Sequence, residues 1–145
     1  MINDHNLFHS IQQLSRQLTK HLNEALGPFG LYSSQWSVLF TLKTNGSLTQ
    51  KELCDYLSVE APPMTRTIQR LLKQGFVEQI PGKDKRTKFI KLTDKSLQEY
   101  TNWETAVFQM KRELVSRFPK QSQDQLYTLL SEWLLHLQTA ATEET

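Results

Sequence analysis

Two adjacent prolines at the head of an amphipathic segment constrain this chain more than any other feature. Residues 59–75 read "VEAPPMTRTIQRLLKQG", with Met64, Ile68, Leu71 and Leu72 on one apolar stripe at helical spacing. Inside a helix each proline would remove a hydrogen bond and clash with the preceding turn, at a cost of roughly 3 kcal/mol. In the first turn the N–H groups have no intrahelical partner, so little is lost there. The helix is therefore expected to begin at residues 61–63, its end stiffened and free of bulky, mobile side chains. At 100° per residue, the face opposite the stripe carries Pro62, Arg66, Gln69 and Lys73, with Arg70 on its flank.

The neighbouring sequence gives this helix a context. Thr49-Gln50-Lys51-Glu52 is a capping box, in which a hydroxyl and a carboxylate satisfy two free N–H groups reciprocally. It opens a short helix through Leu53 and Leu57, which "LSVEA" ends with a four-residue break. After Gly75 the pattern alternates: Phe76, Glu78 and Ile80, a polar turn over residues 81–87, then Phe89, Ile90 and Leu92. That is a two-stranded hairpin with a basic tip, "PGKDKRTK". Two short helices followed by a basic hairpin spell a winged helix-turn-helix, whose second helix enters the major groove with its N-terminal turn leading. The expected fold is mainly α with a small β-hairpin wing.

Charge supports that reading. The chain carries only +2 overall, but residues 60–95 hold nine Lys or Arg against four acids, a balance of +5 that leaves −3 elsewhere. Such asymmetry is the footprint of a site for a polyanion. On the helix, Arg66 suits guanine and Gln69 suits adenine, Lys73 at the far end suits phosphate, and Pro62, Pro63, Thr65 and Arg70 complete the candidate surface. In the wing, Arg86 suits a narrow minor groove, with Asp84 bracing its guanidinium and Lys83, Lys85 and Lys88 pairing with phosphates.

The flanks are helical. Leu7, Ile11, Leu14, Leu18, Leu22 and Leu26 form one stripe, ended by Gly27-Pro28. A buried helix over residues 35–43 follows, with Ser33 or Ser34 as N-cap and Gly46 as a left-handed turn residue. A long helix over residues 94–117 carries Tyr100, Trp103, Val107, Met110 and Leu114, and Phe118-Pro119 stops it. A last helix, residues 122–140, presents Leu126, Leu129, Leu130, Trp133, Leu134 and Leu137 before a frayed "ATEET" tail. These stripes hold more apolar surface than a small core can bury. Leu7, Ile11, Leu14, Leu126, Leu130, Trp133 and Leu137 are expected to pack against a second copy, whose two-fold axis would mirror a palindromic site. The expected organisation is an N-terminal dimerisation helix (1–30), a winged helix-turn-helix (31–96), and a connecting helix with a C-terminal dimerisation helix (97–145).

Residues 33–96 resemble the DNA-binding core of a MarR-family transcriptional regulator, most specifically in "LTQKEL", "MTRTIQRLLKQGFVE", Asp84-x-Arg86 and "LTDKS". The flanking helices fit by length and pattern only. The resemblance implies an obligate homodimer with interlocked first and last helices, reading a pseudo-palindromic double-stranded operator. It also implies a repressor released by a small phenolic or lipophilic effector, or by thiol oxidation. Tyr32, Trp36, Phe40, Trp103 and Phe108 could line a cavity for such an effector, or could equally be core.

Other classes are weaker. Peroxide-sensing relatives carry a reactive Cys near the N-terminus, where this chain has none; Cys54 reads as a small core residue of the capped helix. His5 and His9 share a metal-compatible spacing but lack companion ligands, so no metal is expected. No nucleophile–base motif, P-loop or dinucleotide fingerprint is present, so neither an enzyme nor a cofactor is expected. The lone Cys, the absence of an export signal and of an apolar run long enough to span a bilayer point to the cytoplasm. The alternatives are a redox- or small-molecule-sensing protein, or a winged-helix protein-interaction module, in which DNA contact is secondary.

Overall fold

The computed structural model describes residues 3–143, the side chains of 141–143 excepted. The elements are α1 (Asp4–Leu26), a 3-10 turn (Gly27–Phe29), α2 (Ser33–Asn45), β1 (Leu48–Thr49), α3 (Gln50–Leu57), α4 (Ala61–Gln74), β2 (Val77–Pro81), β3 (Lys88–Leu92), α5 (Asp94–Val115) and α6 (Lys120–Glu143). They form two compact units that divide within α5, one up to Phe108 and one from Gln109 onward.

In the first unit α2 is the central helix, with Trp36, Val38, Leu39 and Leu42 buried as its all-round apolar sequence requires. Its N-cap position is Tyr32, not Ser33 or Ser34. The Tyr32 N–H donates to Gln35 Oε1 at 2.8 Å and the Ser33 N–H to Asn23 Oδ1 of α1 at 2.7 Å, so one local and one tertiary partner replace the serine cap. Gly46 ends α2 at φ 82° and ψ −163°, a positive-φ conformation outside the left-handed helical well and open essentially to glycine alone. The Thr49–Glu52 capping box forms in both directions, each bond at 3.1 Å. The turn between α3 and α4 is three residues, 58–60, one shorter than expected; Ser58 adopts the left-handed conformation (φ 54°, ψ 46°), and Val59 donates back to the Cys54 carbonyl.

The hairpin β2–β3 pairs Val77 with Leu92 through Pro81 with Lys88, and two residues of β1 extend it to a three-stranded antiparallel sheet in the order β1-β3-β2. This third strand, pairing Leu48 with Ile90, has no sequence signal at two residues' length. Thr93 joins the wing to α5: its hydroxyl donates to the Gly75 carbonyl at 2.6 Å and accepts from the Ser96 N–H, while the fully buried Ser96 hydroxyl donates to the Phe76 carbonyl. "LTDKS" is thus the joint between the end of α4, the hairpin base and α5.

An aromatic cluster fills the space beneath. Trp36 stacks on Tyr100 at 5.4 Å between ring centroids, and Trp103, 1% exposed, meets Phe76 edge-on at 4.9 Å. Burial and, secondarily, the neighbouring Glu104 carboxylate push the Tyr100 phenol up to about 12 from its ordinary 10. Because the unfolded chain gives up that proton near pH 10, the folded state's advantage is whole below that pH and drains away between about 10 and 12. Alkaline unfolding followed by tryptophan fluorescence is therefore expected to steepen in that window, and Tyr100→Phe to flatten it. An unchanged slope in the variant would remove Tyr100 as the cause.

In the second unit, α5 ends at Val115 and Gln123 Nε2 donates to the Phe118 carbonyl at 2.7 Å, satisfying an acceptor left free by the turn. α6 begins two residues before the expected Ser122, with the Gln123 N–H donating to the Pro119 carbonyl. It runs on past residue 140 to Glu143, and the rest of the expected frayed tail lies outside the described residues.

Candidate nucleic-acid interface

Helix α4 begins at Ala61 with the prolines in its first turn. The Met64 N–H donates to the Glu60 carbonyl at 3.2 Å, the first main-chain bond of the helix. Pro62 and Pro63 occupy two of the four positions whose N–H groups would have no acceptor, so they cost no hydrogen bond. The buried face is Met64, Ile68 and Leu71; Pro62, Pro63, Arg66, Gln69, Arg70 and Lys73 are exposed. Thr65 differs from them. Its half-buried hydroxyl donates to the Ala61 carbonyl and accepts from Gln50 Nε2 at 2.7 Å, pinning the head of α4 to α3. Gln50 carries no local sequence signal for this role, because its partner lies 15 positions away. The Arg70 guanidinium lies 6.0 Å from the centre of the Tyr32 ring, at the outer range of a cation–π contact.

The wing loop, residues 82–87, is closed by two main-chain bonds, Gly82 N–H to the Thr87 carbonyl at 2.7 Å and Thr87 N–H to the Asp84 carbonyl at 3.0 Å. Lys83, Asp84, Lys85, Arg86 and Lys88 are all exposed. The expected brace between Asp84 and the Arg86 guanidinium is not what forms. Asp84 Oδ1 accepts the Arg86 main-chain N–H at 3.1 Å, a local turn that a short carboxylate makes more readily than it reaches a long side chain's end. Asp84 therefore shapes the loop rather than aiming the guanidinium.

Two of the nine basic residues lie away from α4 and the wing tip. Lys95 Nζ donates to the Gln74 carbonyl at 2.8 Å and sits 4.8 Å over the Phe76 ring, complementing the negative end of α4. Lys91 stands opposite Glu78 in the hairpin register. The others are those of α4 (Arg66, Arg70, Lys73) and of the wing (Lys83, Lys85, Arg86, Lys88).

The five aromatic candidates do not share one environment. Trp36 and Trp103 are core, whereas Tyr32 (58% exposed), Phe40 and Phe108 (61% exposed) are at the surface of the single chain. The His5 and His9 rings stack in parallel 6.2 Å apart, and Cys54 is half-buried. Among the described residues no three His, Cys, Asp or Glu side chains come together, and no helix is long and apolar enough to cross a membrane.

Two helices at a three-residue turn, the second with a polar outer face, followed by an antiparallel hairpin with a basic tip, make this a winged helix-turn-helix protein of the DNA-binding class. The MarR family profile matches residues 31–88. The uncharacterized HTH-type transcriptional regulator YwoH of Bacillus subtilis (strain 168) is 47% identical over 117 residues, 81% of this chain and 85% of the relative. The multiple antibiotic resistance protein MarR of Escherichia coli (strain K12) is 36% identical over 88 residues, 60% of this chain and 59% of that protein. A crystal structure of a mutant MarR from E. coli complexed with operator DNA superposes with a TM-score of 0.83 at 29% identity, covering 88% of this chain and 93% of that one. The chain belongs to the MarR family, a family of transcriptional regulators rather than enzymes.

Proposed function

We propose that this regulator is a homodimeric repressor that reads a pseudo-palindromic operator in the cytoplasm. Pro62, Pro63, Arg66, Gln69, Arg70 and Lys73 form the major-groove surface, Arg86 enters the minor groove, and Lys83, Lys85 and Lys88 meet phosphates. Thr65 and Asp84 act at one remove, by holding the helix head and the wing loop. The observation that carries the reading is the division of α4 into a buried face of Met64, Ile68 and Leu71 and an exposed face that, beyond the apolar residues of its first turn, is polar and basic. A polar outer face is ordinary for a surface helix, but that of α4 carries two arginines, a lysine and no acid, a single sign of charge suited to a polyanion. The similarity to an E. coli relative complexed with operator DNA supports operator binding by this chain.

Residues 1–30 and 97–145 supply dimerisation around the DNA-binding segment 31–96. Dimerisation accounts for the apolar side chains left exposed on α1 and α6 in the single chain. Release by a small lipophilic or phenolic effector is part of the same proposal, with the exposed Tyr32, Phe40 and Phe108 as its candidate contacts and Trp36 and Trp103 in the core.

Selection of genomic fragments by the purified protein, repeated at several salt concentrations, tests this directly. The expected product is an inverted repeat with half-site centres about one helical turn apart, bound more weakly as salt rises. Fragments without a shared sequence, or binding indifferent to salt, would favour a protein-interaction module instead. Within the selected duplex, Arg86→Ala is expected to weaken binding by about 1–3 kcal/mol, most at A·T-rich flanks where the minor groove is narrow. Titration by fluorescence anisotropy measures this, and wild-type affinity in the variant would end the wing assignment.

A further inference from the structure

Between the tail of α4 and the turn that follows α1 lies a relay of two amides that no part of the reading above uses. Gln35, 2% exposed in α2, accepts the Tyr32 N–H at Oε1 and donates through Nε2 to Gln74 Oε1 at 2.6 Å. Gln74 then donates through its own Nε2 to the Gly30 carbonyl at 2.9 Å. Gly30 sits in the left-handed conformation at φ 72°, which glycine adopts without strain, and this sets the direction in which its carbonyl points. Reversing either amide would set acceptor against acceptor or donor against donor, so the chain of bonds has one self-consistent orientation. The Gln74 main-chain carbonyl is held separately by Lys95.

From this geometry we infer that Gln35 and Gln74 are positioning residues that set the rotation of α4 about its own axis, and with it the discrimination between one DNA sequence and another. The inference rests on the proposed use of α4 for base readout. Contacts of Met64, Ile68 and Leu71 are non-directional, and an apolar face alone tolerates small rotation or slippage. Directional bonds fix the rotation at both ends: Thr65 to Gln50 at the head, Gln74 to Gln35 and Gly30 at the tail. At a side-chain radius of about 5–6 Å, turning the helix by roughly 20° displaces a readout group by about 2 Å. That exceeds the tolerance of a bidentate hydrogen bond to a base edge. Attraction to phosphates, being electrostatic and forgiving of angle, would hardly change.

The test uses Gln74→Met, Gln35→Met and the double variant, which keep side-chain length and remove the amides. Affinity is measured for the duplex selected by the wild-type protein and for a scrambled duplex of the same length, at one salt concentration. Each single variant is expected to lose about tenfold on the selected duplex and less than about twofold on the scrambled one. The double variant is expected to lose no more than the worse single, because both substitutions break one relay. Should Gln35→Met fail to fold, the half-buried Gln74 position carries the test by itself, with circular dichroism confirming intact helices. Wild-type preference in a folded Gln74 variant, parallel losses on both duplexes, or additive losses in the double variant would overturn the inference. A wild-type protein with no preference between the two duplexes would instead remove the functional reading on which it stands.

Discussion

Replacing Leu130 and Leu137 by glutamate is expected to yield a folded monomer that has lost at least about a hundredfold in affinity for a two-half-site operator. No described side chain of α6 is buried within the chain, and Leu126, Leu129, Leu130, Leu134, Leu135 and Leu137 are all exposed, Leu135 at 65%. Leu7, Phe8, Leu14 and Leu18 do the same on α1. A monomer rarely leaves apolar side chains of this size and number in water. In a two-fold interface each substitution occurs twice, so the pair would place four carboxylates in an apolar environment, where an unpaired charge costs several kcal/mol. Loss of the dimer removes the linkage between half-sites and leaves each monomer with its own weak affinity. Sedimentation velocity and anisotropy titration measure the two effects together. A variant that remains dimeric, or a monomer that binds the full site like wild type, would contradict the assignment of these helices.

The second large effect falls on α4. Arg66→Ala is expected to cost about 1–3 kcal/mol on the selected duplex and to relax base preference at one position of each half-site. Lys73→Ala, at the far end of the helix, is expected to weaken every duplex alike and to lower the salt slope by about one. The contrast separates reading from clamping: a guanidinium bridging two acceptors of one base carries sequence information, whereas an ammonium beside a phosphate carries none. Competition with a panel of single-base variants of the duplex distinguishes them. Uniform weakening by Arg66→Ala would move that residue to the phosphate backbone.

The parts of the fold legible in the sequence were those with local causes. The proline pair fixed where α4 begins because the cost of proline depends only on position within the first turn. The Thr49–Glu52 box fixed the start of α3 because both partners lie within four residues. Features that depend on distant partners were not legible. Tyr32 took the cap position from Ser33 and Ser34, with Asn23 of α1 accepting the Ser33 N–H across ten positions, and β1 exists only because β3 is there to pair with it. The Asp84 carboxylate went to a main-chain N–H rather than to a guanidinium, since the turn offers a nearer donor. The Gln35–Gln74 contact spans 39 positions and joins residue types that usually face solvent, so no periodicity or motif could announce it.

Methylation interference on the selected duplex tests most directly whether the outer face of α4 and the wing grip DNA together. Guanine N7 lies in the major groove and adenine N3 in the minor groove, so the two methylations report the two contacts separately. The expected pattern is guanine interference in two half-sites about one helical turn apart, with adenine interference beside each of them. Interference confined to one groove, or to a single half-site, would contradict the account.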